Sequence, residues 1–162
     1  MSLLKDALSL RHSGDNAGAA QLLERFLLDR PDHSLARYLL ACCYDSEGKE
    51  AKAVLQYEAA LAGELTSVER RSSLLGLGSS LRALGQYQRA EVALTAGLEE
   101  FPDAAELEAF LAMVEFNLGK SQRAVERLLR VLARTSSDEH IRHLQPAIEL
   151  YAKDISATWS DA

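Results

Sequence analysis

The chain has little of what small scaffolds use to staple themselves together. Only two cysteines occur in 162 residues, and they are neighbours, Cys42 and Cys43, which cannot bridge each other without severe backbone strain. That excludes a disulfide framework and makes a reducing cytoplasm the expected setting. Prolines number three and glycines nine, too few for a collagen or a proline-rich linker. No long apolar run exists, since Arg37 interrupts the most apolar stretch, Leu35 to Tyr44, and a spanning helix needs about 18 such residues. No Lys/Arg block is present either. With 18 basic against 24 acidic side chains and a net charge of −6, nucleic acid and anionic membranes are not expected partners. The opening residues, Met1 to Asp6, bring an acid too early and an apolar run too short for a secretory signal.

What the chain does have is 48% apolar and 26% charged residues, the composition of one folded, helix-prone domain. It also has an internal repeat. Gly14, Gly48, Gly85 and Gly119 stand 34, 37 and 34 residues apart. Five residues after each comes Ala19, Ala53, Ala90 or Ala124; then a core position at Leu23, Tyr57, Leu94 and Leu128; then Leu27, Leu61, Leu98 and Leu132. Small residues at helix crossings with large ones on either side describe helix hairpins that stack to hide their apolar faces.

These columns resemble the tetratricopeptide repeat, a helix, a turn and a second helix per unit. The fullest copy runs Leu74-Leu75-Gly76-Leu77-Gly78 through Leu81, Gly85, Tyr87, Ala90, Leu94 and Leu98 to Pro102, and Pro31 closes the first copy as Pro102 closes the third. The resemblance implies an all-α fold, a right-handed α-solenoid of about four hairpins with a concave wall built from first helices. The spacing divides residues 1–136 into repeats at approximately 1–33, 34–70, 71–104 and 105–136, with 137–162 a C-terminal helix and tail, all in one domain. Helices are predicted at 2–13, 16–30, 33–47, 50–63, 67–84, 87–101, 104–118, 121–135 and 138–156, with no strand.

Three departures carry information. The interval from Gly48 to Gly85 is long by three residues, placed at Ala62–Ser67, where Leu65 stands for a closing proline and Thr66 or Ser67 can cap the next helix with Glu69 in its first turn. Asp6 in the first copy, and Glu108 and Glu115 in the fourth, replace large first-helix residues, and the latter pair predicts a rotated fourth hairpin. After Ser137, the residues Ile141, Leu144, Ile148, Tyr151 and Ile155 form one stripe, with Pro146 on the opposite face. That helix is expected to cap the last repeat or pair with a second copy. Trp159 follows as a tail aromatic or an anchor.

Chemistry is sparse. Gly76-Leu77-Gly78-Ser79-Ser80 lacks the preceding strand and following lysine of a phosphate loop. His140 and His143, with Glu139 beside them, have no third ligand, so no metal and no cofactor are expected. His12 and His33 sit near turns, where solvation or capping suits them, and the thiols at 42 and 43 read as buried and inert. No nucleophile with its base can be assembled, and an enzyme is not expected.

In the family, ligand contacts come from fixed turns of each first helix. The matching positions are Leu4, Lys5, Leu8 and Arg11; Tyr38, Leu39 and Cys42; Leu75, Ser79 and Arg82; and Phe110, Met113, Phe116 and Asn117. Of these, Tyr38, Cys42, Leu75, Ser79, Arg82, Phe110, Met113 and Phe116 form the expected groove, with Leu39 and Phe110 equally suited to inter-helix core. Lys5 and Arg11 have no Asn beside them, so a carboxylate clamp is not supported. An apolar wall with Met and aromatics suits an amphipathic helix. The expected function is a non-catalytic protein-binding scaffold, self-associating as a homodimer through this face or the C-terminal helix; the alternative is a monomeric peptide or helix sensor whose ligand displaces that helix from the groove.

Overall fold

The glycines that punctuate the repeat act through their backbone. In the computed structural model, which describes residues 3–158, Gly14, Gly48, Gly85 and Gly119 adopt φ of +88°, +69°, +72° and +77°. At each, the following amide reaches back over the last helical turn to a carbonyl: Asp15 N to Leu10 O at 2.9 Å, Lys49 N to Tyr44 O at 2.9 Å, Gln86 N to Leu81 O at 2.9 Å and Lys120 N to Glu115 O at 2.8 Å. This is the six-to-one closure of a helix end, and its left-handed residue is what a side chain resists.

The described residues form ten helices and no strand: α1 (Leu3–His12), α2 (Asn16–Asp29), α3 (Ser34–Ser46), α4 (Glu50–Leu61), α5 (Ser67–Ala83), α6 (Tyr87–Glu100), α7 (Ala105–Asn117), α8 (Ser121–Thr135), α9 (Glu139–His143) and α10 (Gln145–Tyr151). The all-α expectation holds, and the first eight predicted helices are found to within a few residues. The chain divides into two compact units, Met1–Ala93 and Leu94–Ala162.

In the first unit, consecutive helices pack from α1 to α5, and α3 also meets α5. The alanine column lies at the crossings, with Ala19, Ala53 and Ala90 fully buried. Gly76 shows why a small residue is needed: a Cβ there would collide with the hydroxyl edge of the Tyr57 ring, so α5 crosses α4 at a distance that only hydrogen allows. The long interval ends in a capping box on α5, where Thr66 Oγ1 accepts from Glu69 N at 3.3 Å and Glu69 Oε2 accepts from Thr66 N at 2.8 Å. Thr66, not Ser67, is the cap. His33 Nδ1 accepts from Ala36 N at 3.2 Å at the start of α3 while its ring meets Phe26 edge-on at 5.1 Å, the capping role expected of it.

In the second unit, α7 packs on α8, and α8 on α10. The single C-terminal helix predicted over 138–156 is instead two short ones joined at Leu144 (φ −89°, ψ 0°), and the second ends at Tyr151. Pro146 is the cause. It has no amide to give Arg142 O, and its ring crowds that carbonyl, so the helix restarts with Pro146 in its first turn, the place where proline is tolerated. Ile155 therefore lies beyond the helix, and the five-residue stripe is not a continuous helical face. Trp159 lies outside the described residues.

Candidate interaction surface

In the first unit, α3 and α5 bring together the residues expected on the inner wall. Tyr38, Cys42, Leu75, Ser79 and Arg82 are all half-buried, and Arg82 already has a partner within the chain. Tyr38 reaches Ser72 of α5 and Cys42 one turn along α3, and burial followed by the neighbouring Cys42 holds its hydroxyl above the ordinary range. Leu39, given either role above, is core at 4% exposure. On α1, Lys5 is exposed, while Leu4, Leu8 and Arg11 are half-buried.

Behind this wall lies a polar cluster that sequence reasoning missed. Tyr57 donates to Asp45 Oδ2 at 3.0 Å, Ser80 donates to Asp45 Oδ1 at 2.7 Å, and Tyr57 Oη stands 3.8 Å from Cys42 Sγ. One carboxylate thus ties α3, α4 and α5. Burial, then the charge of its neighbours, pushes the Tyr57 hydroxyl far above its usual range, which keeps it a donor. The hint was that Tyr57 sits in a column otherwise filled by leucine. Of the two thiols expected to be buried, Cys43 is and Cys42 is half-buried; burial raises Cys42 and pushes Cys43 up to about 11, with Arg11 of α1 only partly offsetting it. Elsewhere in this unit a cavity of about 360 Å³ lies over Leu77, Leu81 and Ala93, edged by the Arg89–Glu58 ion pair at 2.6 Å.

In the second unit, α7 presents Met113 and Phe116 to solvent at 39% and 65% exposure, with Phe110 half-buried on the same helix. The two acids of the fourth repeat are paired inward. Glu115, 1% exposed, receives a bidentate fork from Arg127 at 3.0 and 2.9 Å and a longer contact from Arg123 at 3.4 Å, and Glu108 accepts from Arg134 at 3.3 Å. Helix α8 thus sends three of its arginines to carboxylates of α7. Its apolar side is not covered: Val125, Leu128 and Leu132 are 45%, 44% and 41% exposed. This corrects the expectation that Leu128 is core, as its column mates Leu23, Tyr57 and Leu94 are.

The C-terminal segment packs on α8 and is tied to it by polar contacts. Arg130 donates to Ala152 O at 2.6 Å, Glu126 Oε1 accepts from Ile155 N at 3.1 Å, and Gln122 reaches Asp154 at 3.1 Å, with Ala152 fully buried between them. Leu144, Tyr151 and Ile155 are exposed at 51%, 46% and 41%, and Ile141 and Ile148 are half-buried. His140 and His143 are exposed, and among the described residues no group of three or more His, Cys, Asp or Glu is placed to hold a metal. No helix of the described residues is long and apolar enough to cross a membrane.

Helix hairpins closed by left-handed glycines, stacked through an alanine column, define a helical-repeat scaffold. The sequence profile of the tetratrico peptide repeat matches residues 33–155, and the chain belongs to that family. No curated protein matches. Among solved structures, the chain is similar to two crystal structures of MamA. One aligns with TM-score 0.73 and 18% identity over 91% of this chain and 75% of the other; the second gives 0.69 and 18% over 91% and 92%. It is also similar to an O-GlcNAc transferase variant from Thermobaculum terrenum, TM-score 0.54 and 27% identity over 88% of this chain but 24% of that one. The MamA likenesses concern the fold. The fold and the family make this a protein–protein interaction scaffold.

Proposed function

We propose that the chain is a non-catalytic interaction module of a reducing cytoplasm that self-associates and takes amphipathic helices as partners, with no cofactor. One observation carries the reading: Met113 and Phe116, three residues apart on α7, stand in solvent on one face of a helix whose other side is packed. Such a pair is the anchor chemistry of a helix-in-groove contact. In the first unit, the half-buried Tyr38, Cys42, Leu75, Ser79 and Arg82 offer the mixed apolar and hydroxyl face that suits the same kind of ligand. Self-association is favoured over a sensor whose ligand displaces the C-terminal segment, because α10 packs on α8, a second helix.

Sedimentation at micromolar concentration should give a dimer. Phe116→Asp should weaken the occupant of the α7 face, a second copy or an added helix, by about 2 kcal/mol or roughly 30-fold. Thermal stability lost equally at every protein concentration would show Phe116 to be core and sink the reading.

A further inference from the structure

Helix α8 has one apolar, part-exposed side where a surface helix is usually charged. Its four arginines point to partners within the unit: Arg123 and Arg127 to Glu115, Arg134 to Glu108, Arg130 to Ala152 O. Its outward stripe, Ser121, Val125, Leu128, Leu132 and Thr135, carries no charge. The repeat columns tell what belongs against it. The residues equivalent to Leu128 are Leu23, Tyr57 and Leu94, at 0%, 3% and 0% exposure, and Tyr57 is closed off by Gly76 of α5, a first helix of the next hairpin. In the fourth hairpin, α10 comes nearest to that role. It is shortened by Pro146, and the residues just after it, Ala152, Asp154 and Ile155, bond to α8 on the Gln122, Glu126 and Arg130 side, while Leu128 and Leu132 keep 44% and 41% of their surface in solvent.

We infer that this stripe is the contact between two copies of the chain, α8 against α8 in antiparallel orientation about a two-fold axis near Leu128. The inference rests on the self-association reading and gives it a place. An uncharged stripe with a hydroxyl residue at each end is complementary to itself: Val125 of each copy lies against the partner's Leu132, and the axis brings the two Leu128 side chains together with no like charges opposed. Among first helices of a second copy, α1 is one that could stack on α8 as the next hairpin does elsewhere in the repeat. The position held by buried Leu40, Leu77 and Leu111 in the later first helices is Asp6 in α1. Stacking α1 on the leucines of α8 would bury that carboxylate unpaired, a cost that blocks the head-to-tail chain and leaves the closed pair.

The test uses the full chain. Wild type should sediment as a dimer at about 10 μM, and Leu128→Asp should raise the dissociation constant at least 30-fold, as loss of a central anchor does. Leu128→Cys should form an intermolecular disulfide under mild oxidation, and Leu28→Cys, on the 82% exposed side chain of α2, should not. A monomeric wild type overturns both this inference and self-association. A dimer that survives Leu128→Asp but is lost in Phe116→Asp overturns the α8 contact and leaves self-association standing. Should Leu128→Asp fail to fold, the crosslink decides: the Leu128→Cys disulfide supports the pairing, and its absence, or equal crosslinking at position 28, overturns it.

Discussion

Glu115 is where a single residue most changes the energetics. In the earlier first helices its position holds Leu10, Tyr44 or Leu81, whereas in α7 it is a carboxylate with 1% of its surface exposed, gripped by Arg127. Removing one partner of such a pair leaves a buried charge, so Arg127→Ala should destabilise the chain by about 3–5 kcal/mol in denaturant melts. Replacing both, Glu115→Leu with Arg127→Leu, should recover most of that loss, because two apolar groups of similar volume have no desolvation cost. Gly85 makes the opposite point. No atom lies within 4 Å of where its Cβ would sit, yet φ of +72° makes Gly85→Ala cost about 1 kcal/mol through the backbone alone. Cys43 supplies a pH dependence. Its folded pKa, about 11, is raised above the ordinary 9.0, so the stability it contributes is full below 9.0 and lost as pH rises through about 11. Alkylation at pH 8 should accordingly be far slower in the native chain than in the unfolded one.

At the scale of the element, the helices owe their ends to local chemistry and their partners to packing. Thr66 and Glu69 start α5 and the glycines stop each first helix, all readable from residue type and spacing. Pro146 is the instructive miss. Its opposite-face position suggested a kinked but continuous helix; the missing amide breaks the helix into pieces of five and seven residues, too short to seal the leucines of α8. Pro146→Ala should fuse α9 and α10 and add helical signal in far-ultraviolet circular dichroism without altering the hairpins. Unchanged helicity would show that the break is imposed by packing on α8.

At the scale of the whole molecule, a chain that buries an apolar stripe by pairing gains stability by mass action. The melting midpoint should rise with protein concentration in wild type and become flat in Leu128→Asp. The repeat, the helices and the family were legible in the sequence, because columns such as Ala19, Ala53, Ala90 and Ala124 repeat a local steric demand that spacing alone expresses. Also legible were the small crossing residues and the oddity of Glu108 and Glu115. What only the tertiary structure decided was which side of a helix meets which neighbour. Leu94 and Leu128 share a column, yet one is sealed and the other bare; a carboxylate reads the same in a sequence whether arginines turn inward to meet it or stay in water. Periodicity assigns a residue to a face, while burial is a property of whatever lies opposite that face, and no local pattern records that.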